Sequence, residues 1–149
     1  MKLNIPADGL YALDPGTGYW RAVQIGVPEH TVSVRATRGK PEFRLWQPKL
    51  GKPLFLLVPK GTKSFVIGLP SVGQARSTVR LHLSDGTSVL EDKDVRAGDE
   101  LSVKVPPGLD GSIWGLELSS LRCVIELYGV PPYVAAHPSE LLVPEETLP

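Results

Sequence analysis

The 149-residue sequence predicts an all-β fold, an antiparallel two-sheet β-sandwich of jelly-roll or immunoglobulin-like kind with about eight to ten strands. Three observations predict it. Apolar and polar residues alternate with period two along most of the chain. No apolar pattern at i, i+3, i+4, i+7 lasts the three turns that a stable helix needs. Fifteen Gly and fifteen Pro interrupt nearly every helical window and supply turns between short strands. A chain of this length can bury roughly 70% of its unfolded surface, so one real core is within reach.

The strands follow in order. Tyr19 to Ile25 and Thr31 to Ala36 alternate, as does Glu42 to Trp46. Pro53 to Val58 is a continuous apolar run suited to a strand buried on both faces, and Ser64 to Leu69 makes another strand. Thr78 to Ser84 is the cleanest alternation, and Ser84-Asp85-Gly86-Thr87 supplies a hairpin turn into Ser88 to Leu90. Leu101 to Val105, Ile113 to Leu118 and Cys123 to Val130 complete the set. Ser139 to Leu142 is long enough for one helical turn. No repeat and no composition break divides the chain, so residues 1–136 read as one sandwich domain and 137–149 as a Pro-rich C-terminal tail.

Charge bounds the partners. Sixteen Lys plus Arg balance sixteen Asp plus Glu, which argues against wrapping nucleic acid or an anionic membrane, and no apolar run is long enough to cross a bilayer. The distribution is uneven. Trp20 to Lys63 holds nine basic and two acidic residues, a balance of +7, whereas from Asp85 onward twelve acidic residues face four basic ones, a balance of −8. In a sandwich these halves interleave, so the charges are expected to meet across neighbouring strands. Cys123 is the single cysteine, which excludes an internal disulfide and a Cys-based metal site. Met1 to Ile5 offers one lysine and no apolar core of a signal peptide, so an exported origin would make this a piece of a longer chain.

The motifs of catalysis are missing. There is no Gly-x-Ser-x-Gly elbow, and His30, His82 and His137 are scattered, with His82 mid-strand on the face opposite Leu81 and Leu83. Lys60-Gly61-Thr62-Lys63-Ser64 departs from phosphate-loop order and reads as a turn; Gly16-Thr17-Gly18 precedes a strand and is no dinucleotide fingerprint. Two of Glu117, Glu126, Asp99 and Glu100 brought within about 5 to 10 Å would resemble the acid–base pair of a glycosidase. Asp92-Lys93-Asp94 with Asp99-Glu100 offers hard oxygen ligands for a structural calcium but lacks the rest of a calcium-loop pattern. The expectation is therefore a non-enzyme without a cofactor.

Alternation assigns each aromatic a face. Trp46 falls in phase with Glu42 and Arg44, opposite Phe43 and Leu45, and should be exposed. Trp20 shares a face with Ala22 and Gln24 and leans outward; Tyr128 runs with Glu126, against Ile125 and Leu127. Trp114 is in phase with Leu116 and Leu118 and belongs to the core. Outward aromatics beside charged residues mark a contact surface, and a sugar ring is one partner that suits them.

Val58-Pro59-Lys60-Gly61-Thr62-Lys63-Ser64-Phe65, Val105 to Leu118 with its Pro-Pro-Gly turn and Trp114-Gly115-Leu116, Leu127-Tyr128-Gly129-Val130-Pro131-Pro132-Tyr133 and Leu141-Leu142-Val143-Pro144 form a pattern across about half the chain. It resembles the bacterial pre-peptidase C-terminal family, accessory β-sandwich domains appended to exported hydrolase-like proteins. The resemblance implies an accessory domain of a secreted protein, outside the cell or in its envelope, with other domains of that protein as partners. It carries over no catalytic residue, and it makes Trp114 core. Gly115 departs from the small polar residue more usual after the Trp.

The expected function is a non-catalytic carbohydrate-binding module whose ligand residues are Trp46, Trp20, Tyr128, Arg44, Glu42, Gln24 and Glu126, with a polysaccharide as partner. The rival reading is a structural or protein-interaction domain that packs on a parent enzyme through an apolar patch around Leu54, Leu56 and Tyr133. A small enzyme with a pocketed carboxylate or histidine is the third.

Overall fold

The computed structural model describes residues 34–35, 45–46, 52–72, 76–119 and 122–145. Ten strands occur among them: β1 (Val34–Arg35), β2 (Leu45–Trp46), β3 (Leu54–Val58), β4 (Ser64–Val72), β5 (Ser77–Leu83), β6 (Ser88–Val95), β7 (Asp99–Lys104), β8 (Ser112–Leu118), β9 (Arg122–Tyr128) and β10 (Tyr133–Val134). Their pairing is nested and antiparallel: β5 with β6, β4 with β7, β3 with β8, β2 with β9, β1 with β10. One long hairpin is thus folded over on itself. The further pairs β4–β9 and β5–β8 close it into two four-stranded sheets, ordered β2-β9-β4-β7 and β3-β8-β5-β6. That wrapping is a jelly roll, which decides between the two sandwich kinds the sequence allowed.

The alternation seen in the sequence fills the space between the sheets. Phe65, Ile67 and Leu69 of β4 and Ile125 and Leu127 of β9 face Val79 and Leu81 of β5, Trp114, Leu116 and Leu118 of β8, and Leu56 and Val58 of β3. Trp114 is fully buried, as its phase requires, and meets Phe65 of the opposite sheet edge-on, with centroids 5.7 Å apart. Its indole N–H donates to the Leu109 carbonyl at 3.0 Å, so burying the ring strands no polar atom. Pro53 to Val58 is indeed buried on both faces at its centre, where Phe55 and Leu56 point opposite ways and are both buried.

Turn chemistry follows the residues. Thr62 N–H donates to the Pro59 carbonyl and Leu109 N–H to the Pro106 carbonyl, with Gly61 (φ 88°) and Gly108 (φ 83°) at the third position of each turn. A positive φ there is what a type II turn demands, and Pro107 supplies the preset φ before it. The Lys60-Gly61 segment is therefore the turn its sequence suggested. The two turns dock on each other. Gly61 N–H donates to Asp110 Oδ2 at 2.8 Å and Lys60 Nζ lies 3.7 Å from the same oxygen, one of the contacts between the basic and acidic halves.

Where the structure departs from the pattern, solvent is the cause. β6 runs on through Glu91, Lys93 and Asp94, and β7 starts at Asp99 rather than Leu101. Both are outermost strands of their sheets, where charges cost nothing and discourage pairing with another chain. β4 continues past Leu69 through Pro70, and a bulge between Gly68 and Ser71 accommodates the residue that has no N–H to give. Pro138–Glu140 makes a turn of 3-10 helix, and most residues from Pro138 to Pro144 are half-buried. Ala135 exchanges two backbone hydrogen bonds with Phe55, adding the C-terminal segment to the free edge of β3.

Two outcomes follow from this packing. Trp114→Ala should cost about 3–5 kcal/mol, read as a lower urea midpoint with unchanged slope. The hydrogen bond from Gly61, and secondarily the Lys60 charge, hold the Asp110 carboxyl below its ordinary value. A depressed folded-state value means that the contribution to stability is present above the unfolded value of about 3.9 and is lost as the pH falls through the folded one. Asp110→Asn should therefore flatten the stability curve below about pH 4 and leave its shape near pH 7 unaltered; an unchanged acid limb would refute the contact.

Candidate functional site

The outer face of the β2-β9-β4-β7 sheet carries the described part of the expected ligand set. Glu126 and Tyr128 sit two residues apart on β9 and, as their phase requires, point away from Ile125 and Leu127 in the core. The Tyr128 hydroxyl donates to Glu126 Oε2. Glu126 is only 8% exposed although it lies on the outer face, and Tyr128 is half-buried. Gly68 of β4 is paired directly with Glu126. A Cβ at Gly68 would lie 3.1 Å from Tyr128 Cε2 and 3.3 Å from Glu126 Cβ, so the missing side chain gives the tyrosine ring its seat.

Gly68 also pairs with Glu100 of β7. Glu100, Gly68 and Glu126 thus form one row across three strands, with the two glutamates about 9.5 Å apart at Cα, twice the strand spacing. Glu100 is exposed. Of the four carboxylates considered for acid–base work, these two share a face. Glu117 belongs to the other sheet, and Asp99 Oδ2 accepts the Arg96 N–H and closes a turn.

Trp46 enters through register. On β2 it pairs with Arg122 and Leu45 with Cys123. Arg122 is in phase with Glu126 and Tyr128, and Cys123 with the core residues Ile125 and Leu127, so Trp46 occupies a register position in the row of Glu126 and Tyr128. Trp20, Gln24, Glu42 and Arg44 lie outside the described residues.

A second polar group lies on the outer face of the β3-β8-β5-β6 sheet. The His82 imidazole rests on Gly115, where a Cβ would come within 2.2 Å of His82 Cε1. His82 Nδ1 is 2.7 Å from the Leu83 carbonyl oxygen and must carry the hydrogen, since a carbonyl only accepts. Nε2 is buried without a hydrogen-bond partner, 3.5 Å from Glu117 Oε1, while Arg80 donates to Glu117 Oε2 at 3.3 Å. Phe55 meets both the His82 ring and the His137 ring edge-on, at 6.4 Å each. This cluster clamps the C-terminal segment to β3. The apolar patch expected around Leu54, Leu56 and Tyr133 does not form as an open surface: Leu56 is fully buried, and Leu54 and Tyr133 are half-buried.

Alternation could not place Glu100 and Glu126 on either side of Gly68, or His82 on Gly115, because each depends on which strands become neighbours. Only the glycines gave a signal, since a Gly in mid-strand marks a close approach. Among the described residues no group of three or more His, Cys, Asp or Glu gathers to hold a metal ion, and no helix is long and apolar enough to cross a membrane.

Filling the Gly115 gap should test the clamp. Gly115→Ala should expel His82 from its seat and cost about 1–3 kcal/mol, and in the His82→Ala background that cost should largely vanish, as a double-mutant cycle of thermal melts would register. Additive losses would show that the ring does not occupy the gap. No family model, no curated protein and no solved structure matches this chain.

Proposed function

We propose that this chain is a non-catalytic carbohydrate-binding domain that holds an extended polysaccharide along the outer face of the β2-β9-β4-β7 sheet. The observation that supports the reading is the register of β2 on β9: Trp46 pairs with Arg122 and so falls on the face of Tyr128, six residues further along β9. At about 3.3 Å per residue the two aromatic positions are about 20 Å apart, which suits a chain of several sugar rings rather than a single one. The energetics require more than one platform. A sugar ring laid on an aromatic face buries on the order of 100 Å² of apolar surface, worth about 2.5 kcal/mol. Millimolar binding needs about 4 kcal/mol, so two stacked rings suffice where one does not.

In this reading Tyr128 is preset. Its hydroxyl is held by Glu126 and its ring by the gap at Gly68, so little side-chain freedom remains to be lost on binding. The likeness of the turns to pre-peptidase C-terminal domains agrees with an accessory role in an exported protein.

Affinity electrophoresis against soluble plant and microbial polysaccharides tests this. The wild type should be retarded, and Trp46→Ala should abolish retardation while thermal stability stays nearly unchanged. Retained binding with a large loss of stability would make Trp46 a packing residue. Absence of retardation with every polysaccharide would turn the reading to a protein-interaction domain.

A further inference from the structure

We infer that His82 is a pH-sensitive latch: a proton taken up at Nε2 joins the ring to Glu117 and fastens the C-terminal segment on β3. The inference concerns the β3-β8-β5-β6 sheet and stands whether or not the other sheet binds a glycan. With Nδ1–H directed at the Leu83 carbonyl, the neutral ring has only a lone pair at Nε2. That atom is buried, has no hydrogen-bond partner and lies 3.5 Å from Glu117 Oε1, so an acceptor faces an acceptor. Histidine is the side chain that ordinarily gains a proton between about pH 8 and pH 5. The proton turns Nε2 into a donor, and a movement of about 0.7 Å by the carboxylate closes the gap to the length of a charge-assisted hydrogen bond.

The surrounding charges decide what that proton meets. Glu117 on β8 supplies an anion whose side chain is only 25% exposed, and Arg80 on β5 supplies a cation, bound to the other oxygen of the same glutamate at 3.3 Å. β6 sets Ser88 in register with His82, and its bulge sets Glu91 and Asp92 in register with Arg80. β3 sets Phe55 beside the ring, with Lys52 two residues before the strand. The C-terminal segment brings His137, exposed and in contact with Phe55, and Glu140 in the 3-10 turn. Burial opposes a charge on the ring and Glu117 offsets it, so the latch is read as a dependence on Glu117. Phe55 transmits it. Its ring meets His82 edge-on, and its backbone exchanges two hydrogen bonds with Ala135, so an imidazole fixed at both nitrogens holds that bridge more firmly than one fixed at a single nitrogen.

The test follows the His82 ring nitrogens by long-range proton–nitrogen correlation from about pH 8 to about pH 5, together with the exchange protection of the Phe55 and Ala135 amides, in the wild type, Glu117→Gln and His137→Gln. At the alkaline end the wild type should show the Nδ1–H tautomer. Glu117→Gln should lower the proton affinity of His82 about tenfold. Protection of the two amides in the wild type should rise about fivefold from about pH 7.5 to about pH 5.5. His137→Gln should keep that rise and Glu117→Gln should lose it. A proton affinity that Glu117→Gln leaves unchanged, or a rise in protection that survives it, overturns the latch. The wild type alone overturns it if Nε2 already carries the hydrogen at the alkaline end, or if protection fails to rise in acid, whatever the folding of the variants.

Discussion

The burial of Trp114 is the constraint on which the other arrangements hang. Its ring belongs to β8 but packs against Phe65 of β4, so it sets how closely the two sheets approach. Its N–H reaches the Leu109 carbonyl, which fixes the loop after β7 over the end of the sandwich. That loop carries Asp110 to the backbone of the Lys60-Gly61 turn between β3 and β4. One indole thus couples the spacing of the layers to the docking of two turns, because a large ring with a single donor is satisfied only when both its faces and its N–H find partners.

With the inward positions committed to the core, the outward positions become free to differ between the sheets. On β8 and β5 the outward row is closed: Gly115 admits the His82 ring, Glu117 meets Arg80 and His82, and the C-terminal segment lies against Phe55. On β9 and β4 the outward row keeps a half-buried tyrosine held upright by a carboxylate, with an exposed glutamate on the far side of a glycine. Each glycine makes room for a ring, and both rings are half-buried.

The nested pairing explains why partners lie far apart in the chain. Lys60 meets Asp110, Arg80 meets Glu117, and Gly68 sits between Glu100 and Glu126. A basic first half and an acidic second half are then brought together rather than left as opposed surfaces, at least in the Lys60 contact. The charged residues that extend β6 and begin β7 occupy the outermost strands, where water completes their solvation and where they oppose association with a further strand.

Alternation in the sequence determined the all-β class, the approximate positions of β3 to β9 and the core phase of Trp114, and it put Glu126 and Tyr128 in one phase, opposite Ile125 and Leu127. It could do so because a strand's side chains have a period of two whatever its neighbours are. Pro and Gly likewise determined the turns at Lys60-Gly61 and Pro107-Gly108, since φ preferences are local. The tertiary structure alone decided that the sandwich is a jelly roll, that Glu100 and Glu126 flank Gly68, that His82 lies on Gly115, and that Ala135 joins the edge of β3. Each of these is a choice of which strands lie side by side and in what register. Register is set by the summed burial of the whole core and leaves no periodic mark in any single segment.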